Sequence, residues 1–461
     1  MTNNRIIKIL ILLSFMFFSL IAYLTYIQIF ERELLVTNSY NKRQWDSETG
    51  TQRGRIMDCN GVILAETKDS VRIYPYKGVY AHLIGYNSQT YGRINLERAY
   101  NDELLGKNKF SELIGSSGTE YGYDIKLTVD HKIQQYAYDL IGENNGCVIA
   151  MKPGTGEIIA MVSKPDFDPN DNVLVENWGN MIEDTNSPFL ARATSGLYAP
   201  GSTFKMLTAL LAVENNLDGL TFEDKGTVNI DGTIFENQKE KAYGELTLSE
   251  GFAVSSNVVF CTLGDKLGGS KLLNVAQRFG FNKPLKFDFE CSTSTFPEGI
   301  DDNAKEAALA IGQGDILSTP LQMAMITCGI ANNGAVMKPY IVESIYNHKG
   351  EKVKTSSAEM LYKGADSTDT KKVVDMMVET VKNGTGRNAA IYGVDVAGKT
   401  GTAENEQMLL SDDKEHTWFV GFAPAYEPEI AVVVMMEYSG GTGGGNCAPI
   451  ARNIMQKYLR K

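Results

Sequence analysis

Pro200-Gly201-Ser202-Thr203-Phe204-Lys205, followed by the apolar run from Met206 to Val213, decides how the rest of the chain is read. Pro-Gly breaks the chain, and Phe204 to Val213 is strongly helix-forming, so Ser202 sits where a helix begins. Lys205 follows at i+3, a spacing that puts both side chains on one helical face. A serine hydroxyl attacks poorly unless a neighbour takes its proton. A lysine can do so only when burial or a second cation lowers its pKa. The plain alternative is an N-cap serine followed by a surface lysine. Ser39-Tyr40-Asn41-Lys42 has the same spacing, but no hydrophobic helix stands behind it.

Two further motifs lie far downstream. Ser255-Ser256-Asn257 precedes the apolar run Val258 to Leu263. Ser255 is suited to relay a proton to a leaving group, and the Asn257 amide to hold a substrate carbonyl or Lys205. A helix N-cap explains that tripeptide equally well. Lys399-Thr400-Gly401-Thr402 is more specific. Gly401 lets backbone approach a substrate, and the hydroxyls of Thr400 and Thr402 can bind a carboxylate beside Lys399. Lys399 is also the candidate second cation for Lys205, and the backbone N–H groups of Ser202 and Thr402 are the natural oxyanion donors. One rival reading exists. Gly393 to Thr400 satisfies the phosphate-loop pattern Gly-x4-Gly-Lys-Thr, and Ile430 to Glu437 imitates a hydrophobic strand ending in an acid. That pattern requires a helix after the lysine, and Gly401 follows next but one.

The chain has 461 residues, enough for two or three domains. With 44 Lys and Arg against 56 Asp and Glu, its net charge of −12 argues against nucleic acid as a partner. Cys59, Cys147, Cys261, Cys291, Cys328 and Cys447 show no short repeated spacing, and the histidines form no His-Glu-x-x-His. No metal and no cofactor is expected. The cysteines read as small buried hydrophobes, with any disulfide pairing left open. Ile9 to Phe30 carries no charge. At about 1.5 Å per residue it spans about 33 Å, enough for a bilayer core of about 30 Å. No Ala-x-Ala site follows, so an uncleaved signal anchor is expected. Arg5 and Lys8 precede this span, but Arg32, Lys42 and Arg43 follow it, so the charge contrast across it is weak.

Beyond the anchor, Ile56 to Leu64 reads as a hairpin turning at Asp58-Cys59-Asn60-Gly61. Asn95 to Leu105 has helical spacing that stops at Gly106, and Asp130 to Ile141 is a second amphipathic helix. From Cys147 the texture changes. Cys147 to Met151 and Glu157 to Val162 are apolar runs joined by a turn-rich loop, and the main domain is placed to start here. Trp418 to Ala423 and Ile430 to Glu437 read as a buried hairpin flanking the Lys399 strand. Gly440-Gly441-Thr442-Gly443-Gly444-Gly445 suggests a mobile loop by the cleft.

Taken together, the three motifs make the chain resemble the class B penicillin-binding proteins. Arg53-Gly54-Arg55-Ile56-Met57-Asp58-Cys59-Asn60-Gly61 is similar to the opening of that family's N-terminal module, and Ala81 to Tyr86 and Asn95 to Tyr100 to its later landmarks. Lys126 to Asp130 and Ala150 to Asn170 resemble the lead into its transpeptidase domain, and Thr417 to Pro424, after the Lys-Thr-Gly strand, is also similar to that family. The compact N-terminal half is similar to the short penicillin-binding protein A group.

The resemblance implies an α/β fold with a five-stranded antiparallel sheet between helices. It implies a transmembrane anchor over 1–32, a dimerisation or pedestal-like module over 33–145 and a transpeptidase domain over 146–461. The implied activity is that of a membrane-anchored peptidoglycan D,D-transpeptidase with its catalytic domain outside the cytoplasm. Ser202 would attack the D-Ala-D-Ala bond of one stem peptide and pass the acyl group to an amine on another. β-Lactams would acylate the same serine. The region before Cys147 is too short for a glycosyltransferase, so a separate glycan polymerase in the membrane is an expected partner. A D,D-carboxypeptidase shares these motifs and differs only in using water as acceptor. A β-lactamase fits less well, because no Glu-x-x-Leu-Asn lies between the second and third motifs. A β-lactam sensor fits less well with a single N-terminal span.

Overall fold

The computed structural model describes residues 2–27, 51–107, 121–403 and 415–460. Its centre is a five-stranded sheet in the spatial order Ala397–Ala403, His416–Ala423, Ile430–Met436, Gly146–Met151, Ile158–Lys164. Every neighbouring pair is antiparallel. The last strands of the chain therefore complete a sheet begun by the first two, with Val434 opposite Val148. All residues of the strands at 146–151, 158–164 and 430–436 are buried. Such unbroken apolar runs arise because helices cover both faces.

Alternation of side chains sorts the sheet into two cores. Val148, Ala150, Val432 and Val434 pack with the helices His131–Ile141 and Gly443–Leu459. Cys147, Ile149, Val433 and Met435 belong to the opposite core, with the helices Lys205–Glu214 and Pro320–Ala331. Every residue of Pro320–Ala331 is buried, as expected of a helix that is apolar all round.

The hairpin near residue 60 forms as read, with Met57 opposite Ile63. The buried Asp58 carboxylate closes its turn by accepting from the N–H groups of Asn60 (2.8 Å) and Val62 (2.7 Å). The helix predicted from Asp130 runs over His131–Ile141, with Asp130 as its cap. The segment 95–105 is instead two short helices, Asn95–Ala99 and Asn101–Leu104, interrupted at Tyr100. The Tyr100 hydroxyl donates to Asp288 at 2.5 Å, a tie that helical periodicity does not encode.

A second, six-stranded sheet takes Ile56–Met57, Ile63–Lys68, Val71–Ile73 and Asp124–Leu127 from the first part of the chain. Val342–Tyr346 and Lys352–Thr355 arrive from far downstream to complete it, with Ile345 opposite Ile125.

Two expectations need correction. Among the described residues the Lys399 strand is the edge of the central sheet, so only His416–Ala423 lies beside it, and Ile430–Met436 is one strand further in. The glycine run is not a loop throughout, since the helix Gly443–Leu459 begins inside it, capped by Thr442. A Cβ at Gly443 would stand 2.0 Å from the Trp418 carbonyl oxygen and 2.6 Å from that of Gly401. Glycine is required there because helix backbone rests on sheet backbone. No disulfide joins any of the six cysteines, and Cys147, Cys261, Cys328 and Cys447 are buried. The N-terminal helix Thr2–Tyr26 includes a stretch, 4–26, long and apolar enough to cross a membrane.

One buried acid ties together the segments around residues 53, 72 and 97. Glu97, fully buried, accepts from Arg53 Nε and Arg72 Nε, both at 2.7 Å, and from the Tyr74 hydroxyl at 3.1 Å. Burial alone would raise its pKa, but the two guanidinium charges outweigh burial and hold it at about 2. Its stabilising contribution is therefore present above the ordinary carboxylate pKa of 4.5 and lost as pH falls through about 2. Glu97→Gln leaves two buried cations undercompensated and is expected to cost about 3–5 kcal/mol. A lower denaturant midpoint at neutral pH, with the difference from wild type shrinking toward pH 2, is the expected result.

Candidate active site

Gly201–Thr203 is a turn of 3₁₀ helix that runs through Phe204 into the helix Lys205–Glu214. Gly201 has φ +52°, and its N–H donates to the Gly312 carbonyl at 2.9 Å. A Cβ on Gly312 would lie 2.1 Å from the Gly201 oxygen, so two glycines meet backbone to backbone under Ser202. The same turn leans on the Lys399 strand. A Cβ on Gly401 would stand 2.9 Å from Thr203 Cγ2, and one on Gly201 2.8 Å from the Thr402 oxygen. Ser202 is thereby set beside Gly401 and Thr402 and one turn before Lys205. It makes no capping hydrogen bond, and among the described residues its hydroxyl has no hydrogen-bond partner. The N-cap reading of Ser202 fails.

Lys205 is not a surface residue either. It is fully buried, and its Nζ donates to Asn257 Oδ1 (2.7 Å), the Ser255 carbonyl (2.9 Å), the Ser256 carbonyl (3.3 Å) and Ser255 Oγ (3.4 Å). Lys399, also fully buried, reaches the same Ser255 Oγ at 2.8 Å and the Thr400 carbonyl at 3.1 Å. Two lysine amines thus meet on one hydroxyl, and every hydrogen-bond partner they have among the described residues is a neutral oxygen. Ser255 sits in the left-handed region at φ +61°, a strained conformation for a residue with a side chain.

Burial lowers the Lys205 pKa from 10.5 to about 7. Lys399 lies well below its ordinary value, through burial first and then through the charge of Lys205. The reading in which Lys399 depresses Lys205 is thus corrected. Burial does most of it, and the repulsion falls on Lys399.

The second motif answers both readings made of it. The middle residue, Ser256, caps the helix Asn257–Leu267, its Oγ accepting from Val259 N–H at 3.1 Å. Ser255 and Asn257 are left to face Lys205. In the third motif, Thr400 Oγ1 pairs with Thr385 Oγ1 at 2.7 Å, while Thr402 is half-buried beside Gly201. Because this is an edge strand, backbone groups turned away from its partner face the cleft.

Sequence reasoning missed three residues that hold these parts. Thr385 grips Thr400. Asp224 and Asn237, both buried, accept from Ser256 Oγ (2.6 Å) and Asn257 N–H (2.7 Å) respectively. No local pattern marks them, since they belong to strands and turns brought in by the fold.

The phosphate-loop reading is overturned, because Lys399 lies inside the strand Ala397–Ala403, which continues through the positions where that pattern needs a helix to begin. The acid of that reading, Glu437, accepts from Arg192 Nε (2.8 Å) and the Tyr198 hydroxyl (2.7 Å) in a structural clasp. The Ser39 to Lys42 decoy lies outside the described residues.

The family model for the penicillin binding protein transpeptidase domain matches residues 146–456. That for the penicillin binding protein A dimerisation domain matches 53–118. The chain belongs to the class B penicillin-binding proteins. Over its whole length this penicillin-binding protein is 32% identical to the peptidoglycan D,D-transpeptidase PbpA of Mycolicibacterium smegmatis, covering 99% of that chain. Stage V sporulation protein D of Bacillus subtilis is 33% identical over 88% of this chain and 66% of its own. Among solved structures, the ceftriaxone acyl-enzyme of penicillin-binding protein A from Mycobacterium tuberculosis superposes with a TM-score of 0.82. It shares 30% identity, covering 89% of this chain and 99% of that one.

The lysine environment generates a pH prediction. A base at 205 acts only when neutral, so the rate of acylation by a penicillin is expected to rise through about pH 7 and level off above it. A labelled-penicillin time course across pH checks this, and a midpoint near the ordinary lysine value of 10.5 would contradict it.

Proposed function

We propose that this chain is a membrane-anchored peptidoglycan D,D-transpeptidase working through an acyl-enzyme at Ser202. Neutral Lys205 takes the proton of Ser202 as Oγ attacks the carbonyl carbon of the penultimate D-alanine of a stem peptide. The Oγ–C bond forms while backbone N–H groups of Ser202 and Thr402 hold the oxyanion. The proton passes through Ser255 to the departing nitrogen, the C–N bond breaks, and D-alanine leaves. An amine of a second stem peptide then attacks the ester, and Ser202 recovers its proton. Asn257 keeps Lys205 aimed. Lys399 supplies positive potential for the terminal carboxylate of the donor, with Thr400, Gly401 and Thr402 forming the strand edge that receives the peptide. A β-lactam follows the same first step, but its broken amide stays tethered and no group departs.

The helix Thr2–Tyr26 anchors the chain within residues 1–32, with 33–145 as a pedestal module and 146–461 as the transpeptidase domain outside the cytoplasm. A separate glycan polymerase in the membrane supplies the strands to be cross-linked.

The observation that carries this reading is the meeting of two buried lysines on the Ser255 hydroxyl, beside a serine with no other bond to make. Intact-mass spectrometry after incubation with a β-lactam tests it. The full chain is expected to gain the mass of one β-lactam, and Ser202→Ala to gain none. An adduct retained in Ser202→Ala would refute the assignment.

A further inference from the structure

Behind the Ser255-Ser256-Asn257 turn lies a carboxylate that the mechanism above does not use. Asp224, at the end of the strand Thr221–Asp224, is 1% exposed. Its Oδ1 accepts from Gly226 N–H and Asn237 Nδ2, both at 2.8 Å, and its Oδ2 from Asn237 Nδ2 (2.9 Å) and Ser256 Oγ (2.6 Å). Asn237 in turn accepts at Oδ1 from Asn257 N–H (2.7 Å) and Val258 N–H (3.3 Å). All the polar atoms in this cluster have partners, yet among the described residues no cation touches the carboxylate. A buried carboxylate satisfied only by neutral donors keeps its field in the interior. The cation nearest along this network is Lys205, which rests on the Ser256 carbonyl and the Asn257 amide.

We propose that Asp224 is a positioning residue for the acyl-transfer site. Through Ser256 and Asn237 it fixes the turn on which Lys205 rests, and its charge sets the pH at which that lysine gives up its proton. The inference rests on the transpeptidase reading above. Its physical sense lies in the separation. A carboxylate in direct contact would lock a proton onto Lys205 and abolish it as a base. One residue further back, it offsets the cost of a cation arising there during proton transfer without trapping the ground state. The same field opposes the burial that strips Lys205 of its proton. The other groups facing this pocket do not replace it. Cys261 is a buried thiol on the helix Asn257–Leu267, Tyr243 approaches from the chain before Gly244–Thr247, and exposed Lys225 pairs with Glu223 at 3.0 Å.

The test is the pH profile of penicillin acylation for the full-length wild type, Asp224→Asn and Ser256→Ala. Asp224→Asn keeps the shape and removes the charge, so its acid limb is expected to move to lower pH by about half a unit or more. Its plateau is expected to fall about tenfold or more as the turn loosens. Ser256→Ala keeps the carboxylate, so its plateau falls while the limb stays where it is in wild type. A purely structural role would lower the melting temperature and plateau of Asp224→Asn and leave its limb in place, which would overturn the proposal. If Asp224→Asn does not fold, Ser256→Ala decides, and a wild-type plateau there would overturn it too. A wild type that takes up no penicillin would instead bring down the transpeptidase reading beneath it.

Discussion

Two amines that are both denied water and a carboxylate, and that share one hydroxyl, are the constraint on which this molecule turns. Lys205 and Lys399 lie within hydrogen-bond reach of Ser255 Oγ, which puts their nitrogens no more than about 6 Å apart. Two full charges at that separation repel by about 3 kcal/mol at an effective dielectric near 20. Burial, the larger effect on both, adds to the cost. The pair therefore holds its protons weakly at neutral pH, and a weakly held proton is what a serine nucleophile needs in its neighbour. The neutral oxygens of Ser255, Ser256 and Asn257 orient Lys205 without pinning a charge on it.

The fold exists to impose that meeting. One lysine comes from the first turns of a helix, the other from a sheet edge, and the hydroxyl between them from a strained turn. Glycines allow the three elements to close. Gly201 and Gly312 meet backbone to backbone, Gly401 admits Thr203, and Gly443 sets the C-terminal helix on the strand behind. A side chain at any of these positions would wedge apart parts that must touch. The same economy explains why the edge strand is left open on one side. A strand with unpaired backbone groups is a liability elsewhere, but here it provides a place for an extended peptide to lie.

Much of this was legible in the residues. The apolar runs at 147–151, 157–162, 418–423 and 430–437 became strands of the central sheet because continuous burial has an unmistakable composition. Ser202, Lys205, Ser255, Asn257 and Lys399 stood out because their chemistry is local to short motifs. What stayed hidden depends on distant partners. Tyr100 stands at the break between two short helices and binds Asp288, the strands at 342–355 cross to a sheet begun near residue 56, and Gly443 and Gly444 serve packing where their composition suggested a loop. Asp224 and Asn237 carry no motif at all. Their importance comes from what the chain folds in front of them.

Selective ¹⁵N labelling of lysine, with Nζ shifts of Lys205 and Lys399 followed across pH and assigned by Lys→Arg variants, tests the central claim most directly. The account predicts that Lys205 loses its proton near pH 7 and that Lys399 loses its own well below the ordinary lysine value of 10.5. Two ammonium signals persisting together to about pH 9 would contradict it, because fully charged partners could not serve as the base that Ser202 requires.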